Sequence, residues 1–367
     1  MARRRSGVHA GQATAGWTFT APMIIILGLF LFIPVLMALW VSLTSWHGNG
    51  SPFVPGVGFV GAKNYTDLFV KDSLARSTFM QSIGNTFYYV LLVVPLQTAT
   101  SLVLALIVNN RLLKGKGFFR TAFYFPSVTS SIAISTVFLF LFSNTGAVNA
   151  LLKLLHIDGP QWFTDSRGLL HLLLGAFGVD NPSWAQTDVL GRSLWDWLSG
   201  PSVALCVIII LAVWTTTGTF MLMFLAALQD LPVEVDEAAA LDGASWWQKL
   251  RMVTIPMLRP AIFLVVTLGI IGTWQVFDQI YVMGQGAPAG TTMTPAFLSY
   301  QTSFQSLNFG SGAAIAFVVF LIIVVLTAWQ RWLMSEDRRP LFRRRTARRV
   351  ATLTAAQQAD RAGEVAR

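Results

Sequence analysis

The sequence is poor in the residues that build disulfides, metal sites and water-exposed surfaces. It has one cysteine among 367 residues, Cys206, so no disulfide can form within the chain and a cysteine-based metal site is excluded. The four histidines are widely spaced and suggest no metal site. Charged residues make up 12% of the chain, about half the share usual in a soluble domain. This shortage of charge indicates that lipid surrounds much of the chain.

Catalytic motifs are missing as well. The sequence has no phosphate loop of the GxxxxGKS or GxxxxGKT type, so the chain is not expected to hydrolyse ATP itself. It has no HExxH or GxSxG motif, and no cluster of His, Asp and Glu lies within its apolar segments. The chain is therefore not expected to be an enzyme or to hold a cofactor or metal of its own.

Long apolar runs are abundant instead. A bilayer core of roughly 30 Å needs about 20 mainly apolar helical residues. Since backbone groups in hydrocarbon must be satisfied within the segment, such runs should be helices. They are too long and too evenly apolar for the alternating strands of a membrane barrel. The sequence predicts an all-α integral membrane protein of about six spans, at residues 17–43, 85–108, 121–142, 203–228, 261–283 and 313–333.

Lysine and arginine are distributed unevenly between these spans. The two tails and the loops after the second and fourth spans hold 20 of the 26, whereas the other three loops hold 6. By the positive-inside rule both termini are predicted to be cytoplasmic. Residues 1–16 are then a basic cytoplasmic N-terminus, residues 143–202 a long external loop, and residues 334–367 an arginine-rich cytoplasmic tail that is disordered near its end.

The two ends of the chain suggest two other interpretations, and neither is favoured. The net charge of +9 is compatible with nucleic-acid binding, but basic clusters beside spans usually set topology or contact anionic lipid. The basic start resembles a signal peptide. However, the first apolar run, about 25 residues, exceeds the roughly 7–15 of a signal sequence, so the first span is expected to be retained.

The predicted cytoplasmic segment 231–260 has the pattern of two short helices joined by a tight turn. Pro232 fits the first turn of a helix, and the acidic residues that follow favour that end of the helix dipole. Gly243 is placed to end the first helix. Ser245 is a suitable N-cap for the second helix, and Pro256 and Pro260 are expected to break it before the fifth span. A short helix held at the membrane surface in this way is suited to binding a partner.

This segment resembles the "EAA" loop of ABC importer permeases, a family of ATP-driven membrane importers. The resemblance rests on Glu237-Ala238-Ala239, on Gly243 and on Ile255-Pro256. Further stretches resemble the sugar-permease branch, of the maltose and glycerol-phosphate type, and occur in the matching order. They are residues 59–65, 115–121, 277–283 and 308–310. Together the similar stretches extend over nearly all of residues 17–333.

The resemblance implies a type I ABC importer permease (MetI-like) fold in a bacterial or archaeal cytoplasmic membrane. The loop would be a coupling helix docked on a cytoplasmic ATPase dimer, which would bind ATP and Mg. An external solute-binding protein would deliver a sugar or related polyol. Because the chain ends in an arginine-rich tail, a second, different permease is expected as its partner. The implied docking residues are Glu237, Ala238, Ala239, Asp242, Gly243, Ile255 and Pro256.

Polar residues within the spans are candidates for the solute pathway, because they are costly in lipid. Their alternative role is close helix packing and hydrogen bonding to their own backbone. Asn85, Tyr88 and Tyr89 are weaker candidates. The main candidates are Trp214, Thr215, Thr216, Thr217 and Thr219 in the fourth span, and Thr273, Gln275 and Asp278 in the fifth.

Two other classes of function remain open on the residues alone. A secondary transporter driven by an ion gradient would need intramembrane carboxylates or histidines, and often an inverted repeat. Only Asp278 is available within a predicted span, and no repeat is evident. A membrane-embedded enzyme or assembly scaffold would need a reactive cluster, which the sequence does not show. The sequence does not identify the solute.

Overall fold

The computed structural model describes residues 8–54, 57–110, 112–179 and 181–334. The arginines near the N-terminus and the tail predicted to follow the last span lie outside the described residues, apart from Met334. The chain divides into two compact units, Met1–Val324 and Val325–Arg367. Apart from the C-terminal part of the last helix, the features discussed below belong to the first unit.

Helices account for most of the described chain. Short π-helical turns, Gly28–Phe32, Leu250–Thr254 and Gln301–Gln305, continue three of them. In chain order the helices are α1 (Val8–Leu27), α2 (Ile33–Ser42), α3 (Lys63–Phe69), α4 (Leu74–Asn109), α5 (Lys116–Val128), α6 (Ser131–Leu141), α7 (Ala147–Leu154), α8 (Leu169–Ala176), α9 (Leu194–Trp197), α10 (Val203–Gln229), α11 (Val233–Leu241), α12 (Trp246–Lys249), α13 (Ile255–Met257), α14 (Arg259–Trp274), α15 (Asp278–Met283), α16 (Pro295–Tyr300) and α17 (Phe309–Met334).

The number of spans agrees with the expectation of about six. Within the described residues, four helices are long and apolar enough to cross a membrane, and two bent helix pairs raise the number to six if each pair is one span. The four are Ala15–Ser42, Leu74–Asn109, Val203–Gln229 and Phe309–Leu333. The second of them begins earlier than the predicted residue 85, because Ser73 caps the helix by accepting a hydrogen bond from the Arg76 backbone N–H at 3.3 Å.

The third predicted span is a bent pair instead of a straight helix. α5 and α6 meet at 94°. Pro126 lies in the last turn of α5, and Thr129 has extended backbone angles, φ −80° and ψ 148°. Since proline cannot donate the helical hydrogen bond and Thr129 leaves the helical region, the chain turns there. The continuous helix predicted over residues 121–142 was wrong in this respect.

The fifth predicted span, 261–283, is also interrupted. α14 ends at Trp274, and a separate short helix, α15, starts at Asp278. Gln275 closes α14 with φ −101° and ψ 13°. The three residues 275–277 therefore lie between two helices, and Asp278 belongs to the first turn of α15 and not to the span.

α10 is the central helix of the first unit. In the most apolar stretch of α10, 61% of the residues are buried, against 6% in that of the first span. α10 packs against α4, α5 and α14, and the contact with α5 is close enough that a Cβ on Gly218 would lie 2.2 Å from the Phe123 carbonyl oxygen. Small residues allow helix backbones to approach in this way. The first span, by contrast, leaves most of its apolar surface uncovered by the described chain.

The long loop 143–202, which is predicted to be external, forms a small layer of short helices over the N-terminal end of α4. It contains α7, α8, α9, a 3₁₀ turn at Ser183–Gln186, and an antiparallel pair of strands, β1 (Asp188–Val189) and β2 (Arg192–Ser193). The Tyr88 hydroxyl donates to the Trp197 carbonyl at 2.6 Å, and Arg192 stacks over the Trp197 ring at 5.9 Å. Burial lowers the pKa of Arg192. The loop is thus held on α4 as a folded element.

Candidate functional site

The segment 231–260, called the elbow below, has the two-helix form that its sequence predicts. Gly243 follows α11 with φ +70°, a left-handed conformation that glycine adopts at little cost. The Ser245 hydroxyl accepts from the Gln248 backbone N–H at 3.4 Å, and the Gln248 side chain accepts from the Ser245 N–H at 2.8 Å. This capping box starts the second helix at the predicted residue.

One ion pair joins the two helices of the elbow. Lys249 Nζ lies 2.9 Å from Asp236 Oδ1, with side chains 32% and 53% exposed. A pair this exposed contributes on the order of 0.5 kcal/mol. Its value is geometric, because it links α11 to α12 across the glycine turn. The Ala244 N–H also donates to the Ala239 carbonyl at 3.0 Å, which closes the end of α11.

The elbow presents large apolar side chains to solvent. Leu241 is 89% exposed, Met252 74% and Trp246 68%. Within the described residues nothing covers them. Contiguous exposed apolar residues on a monomer usually mark an interaction site. The exposed acidic groups Glu237 and Asp242 lie on the same segment. The elbow therefore has the features of a docking surface for another protein.

The predicted docking residues are arranged in two groups. The first group surrounds the glycine turn and is solvent-exposed except for one buried alanine, and the second group is half-buried against the membrane helices. The exposed ones are Glu237, Ala238, Asp242 and Gly243, the buried one is Ala239, and the half-buried ones are Ile255 and Pro256.

Pro256 does not break the second helix of the elbow, which corrects the expectation for that residue, whereas Pro260 lies in the first turn of α14, directly after the bend. The helix runs through Pro256 to Met257, and the bend of 69° comes after Leu258, where α14 begins. The reason is the π-helical turn Leu250–Thr254, in which the Ile255 N–H bonds to the Leu250 carbonyl. The wider turn changes the spacing of the backbone hydrogen bonds just before Pro256, which has no N–H to donate.

A cavity of ≈ 260 Å³ lies between α4, α10, α14 and α15, and we call it the inner cavity. Helical spacing explains which residues line it, since positions three and four apart share a face. Its polar lining residues are Tyr89 and Gln97 on α4, Thr216 on α10, Thr273 on α14, and Gln275, Asp278 and Gln279 around the start of α15. The sequence predicted four of these as pathway residues, namely Thr216, Thr273, Gln275 and Asp278.

A second cavity of ≈ 300 Å³ adjoins the first and shares Thr216, Phe220 and Gln279 with it. We call it the hydroxyl cavity, because most of its polar lining consists of serine and threonine. It lies where α5 and α6 bend, next to α10. Its hydroxyl-bearing residues are Ser127, Thr129, Ser131, Ser135, Thr215, Thr216 and Thr219. Three of the predicted pathway threonines thus line this cavity.

Two other predicted pathway residues lie elsewhere. Thr217 is buried against α4, where its hydroxyl lies 3.0 Å from the Thr100 hydroxyl and its carbonyl accepts from Ser101 at 3.0 Å. It serves helix packing, the alternative that the sequence left open. Trp214 is 47% exposed, packs on Phe138 with ring centroids 5.7 Å apart, and lines neither of these two cavities. A stacking role toward a solute there stays a prediction.

The three weaker candidates on α4 also divide into residues that make structural contacts and a residue that lines a cavity. The Asn85 side chain donates to the carbonyls of Gly290 at 2.8 Å and Met293 at 3.0 Å, so it anchors the loop between α15 and α16. Tyr88 holds the loop 143–202 on α4. Tyr89 lines the inner cavity. Gln97 lies about two helical turns after Tyr89 on α4. Sequence reasoning missed it, because a single uncharged amide in a long apolar helix gives no distinct signal.

Comparison with known proteins gives consistent relatives. A family model described as binding-protein-dependent transport system inner membrane component matches residues 75–336. The lactose transport system permease protein of Rhizobium radiobacter is 32% identical over 337 residues, which cover 90% of this chain and 98% of that protein. The trehalose/maltose transport system permease protein of Thermococcus litoralis is 29% identical over 320 residues, 86% of this chain and 92% of that protein.

Solved structures share the fold. A chain of a bacterial ABC transporter involved in the import of the acidic polysaccharide alginate superposes with a TM-score of 0.66 at 19% identity, covering 88% of this chain and 96% of that one. A chain from the alginate transporter in complex with its pentasaccharide-bound periplasmic protein gives a TM-score of 0.67 at 18% identity, covering 92% and 99%. At these identities the likeness concerns the fold alone.

Proposed function

The chain belongs to the family of binding-protein-dependent transport system inner membrane components, and we propose that it forms half of the pathway by which an ATP-driven importer carries a sugar or related polyol. The fold implied by the sequence resemblance, an all-helical ABC importer permease, is confirmed by the family and the fold likeness. The inner-membrane location is that of the family. The cytoplasmic placement of both termini stays a prediction.

The elbow carries this proposal. Its exposed leucine, methionine and tryptophan side chains, beside the acidic residues Glu237 and Asp242, fit a groove on a cytoplasmic ATPase subunit. The glycine turn and the capping box fix the angle between α11 and α12, so a force on the docked turn reaches α14 through one continuous helix and one bend. ATP and Mg would be held by the ATPase, and this chain would transmit its closure to the spans.

The chemistry of the cavities favours a neutral polyhydroxylated solute. Their lining provides hydroxyl and amide groups, which hydrogen-bond to sugar hydroxyls as donors or acceptors. Asp278 is the one carboxylate among these lining residues, and no lysine or arginine is among them. Aromatic rings at Tyr89, Phe220 and Phe277 provide flat apolar surfaces next to the polar groups. The lactose and trehalose/maltose permeases named above support the same solute class.

Two kinds of partner complete the proposed importer. A solute-binding protein outside the membrane would deliver the sugar, as the family description implies. A second, different permease would form the other half of the pathway. The almost fully exposed first span gives a second permease an apolar helix on which to pack.

Affinity purification of this chain from its own membrane, followed by mass spectrometry, tests the proposal. A second permease and an ATPase subunit are expected to co-purify, and the recovered complex is expected to take up a sugar in proteoliposomes with the binding protein and ATP. Recovery of this chain alone, as a stable monomer or homo-oligomer without an ATPase, would contradict the importer assignment.

The threonines of α10 allow a test of which face serves the solute. We expect Thr219→Val to lower uptake several-fold while leaving the melting temperature of the purified complex unchanged, because Thr219 lines the hydroxyl cavity. We expect Thr217→Val to lower stability by about 1 kcal/mol, because its hydroxyl is buried between α10 and α4. Uptake and thermal unfolding of both variants are the measurements. Equal stability losses in the two variants would count against the division of roles.

A further inference from the structure

Gln97 lies where three membrane helices meet. It projects from α4, is 1% exposed, and lines the inner cavity together with residues of α10 and α14. On one side its Oε1 accepts from the Thr216 hydroxyl of α10 at 2.7 Å. On the other side its Nε2 lies against Gly269 of α14, where an added Cβ would be only 2.4 Å away. The absence of a side chain at position 269 is therefore what makes room for this amide.

Half of the Gln97 amide has no hydrogen-bond partner within the described residues, because Nε2 is buried and unbonded. The conclusion does not depend on which way the amide is oriented. The Thr216 hydroxyl also lies 2.7 Å from the Ala212 carbonyl, and its single proton can serve only one acceptor. Turning the amide would satisfy Nε2 on Thr216 and leave Oε1 unbonded instead. In either orientation one buried polar atom at the wall of the cavity lacks a partner, an uncommon and unfavourable arrangement.

We propose that Gln97 is a specificity-determining residue of the pathway, whose free amide group hydrogen-bonds a hydroxyl of the passing sugar. The inference rests on the proposed function and names a residue and contact within it. The terminal torsion of glutamine is soft, so the free group can turn from Gly269 toward the cavity. A sugar hydroxyl both donates and accepts, and so it can satisfy the amide in either orientation. In the orientation that places Nε2 on the Thr216 oxygen, the Thr216 hydroxyl donates its proton to the Ala212 carbonyl.

Three variants separate recognition from structure. Gln97→Met keeps the length of the side chain and removes the amide. Gly269→Ala leaves Gln97 in place but pushes its amide off α14. Gly117→Ala is the control, because Gly117 also lies in a helix, α5, lines neither cavity, and has nothing within 4 Å of the added Cβ. Each variant is purified as the full complex of both permeases and the ATPase, and is reconstituted into proteoliposomes with saturating binding protein.

Uptake of radiolabelled lactose and maltose and thermal unfolding of the empty complex are the two readouts. For a sugar that the wild-type complex carries, we expect Gln97→Met to lower the uptake rate about tenfold. Gly269→Ala should lower it several-fold and Gly117→Ala should leave it unchanged. The melting temperature of Gln97→Met should equal or exceed that of the wild type, because an unsatisfied buried polar group has been removed.

A purely structural role gives the opposite pattern. A lower melting temperature for Gln97→Met, with uptake per assembled complex unchanged, would overturn the assignment of Gln97. A wild-type complex that contains an ATPase but carries neither sugar would overturn the proposed solute class, and the present inference with it. The two failures are distinguishable, because the first appears only in the variant and the second already in the wild type.

Discussion

Replacing Gly243 with aspartate is expected to abolish uptake while the protein remains in the membrane at its normal level. The residue has φ +70° at the exposed tip of the elbow, with nothing within 4 Å of the position that a Cβ would occupy. A side chain there costs on the order of 1 kcal/mol in backbone strain, too little to unfold the protein. The new carboxylate, however, would lie where the ATPase is proposed to dock, and a buried unpaired charge at an interface costs several kcal/mol.

The molecule offers a matched control for this substitution. Gly178, in the loop 143–202, has φ +78° and likewise nothing within 4 Å of an added Cβ. Gly178→Asp introduces the same strain and the same charge away from the elbow, so uptake should persist. Uptake in membrane vesicles, the amount of protein in the membrane and co-purification of the ATPase are the measurements. Normal uptake by Gly243→Asp, or equal loss in both variants, would show that the elbow is not the coupling element.

Glu237 gives a charge-reversal version of the same test. It is exposed on α11, and Glu234 lies one turn earlier on the same helix and is also exposed. Glu237 is proposed to pair with a basic group of the ATPase, and Glu237→Lys is expected to abolish uptake because the lysine would repel that group. Glu234→Lys should have a small effect. Comparable activity of the two lysine variants would remove Glu237 from the set of docking residues.

The elbow could be predicted from sequence because its determinants are local. Proline at a helix start, glycine in a left-handed turn and a serine cap each act within a few residues of the chain. Gly243 and Ser245 are found in the predicted roles. Pro256 shows the limit of the same reasoning, because whether a proline bends a helix depends on the register of the preceding turn. Here a π-helical turn moved the bend to Leu258.

The lining of the inner cavity could be predicted only in part, because it depends on which faces of the helices meet. Each residue of a helix is rotated by about 100° from the one before it. Thr216 and Thr217 therefore point in different directions, the first into the inner cavity and the second against α4. The sequence of α10 presents both as equivalent threonines. Gln97 became recognisable only once α4, α10 and α14 were placed together.

The close contact between α5 and α10 is the basis for the second large expected effect, on folding. Gly218→Val is expected to remove most of the protein from the membrane. A Cβ at position 218 would lie 2.2 Å from the Phe123 carbonyl oxygen and 2.8 Å from the Tyr124 Cα, so the obstructing atoms are backbone and cannot rotate away. The two helices would have to separate, and overpacking of this kind costs about 1–3 kcal/mol before the rest of the valine side chain is added.

Gly272→Val provides the comparison, because position 272 also lies in a membrane helix but has nothing within 4 Å of an added Cβ. The intrinsic helix cost of valine is similar at both positions, so any difference between the variants reports packing. We expect Gly272→Val to accumulate normally and, because it narrows the inner cavity, to lower uptake. Gly218→Val should instead be degraded, and any fraction that survives should melt at a lower temperature. The amount of membrane-inserted protein and thermal unfolding measure this, and normal accumulation of Gly218→Val would show that α5 and α10 do not pack at this contact.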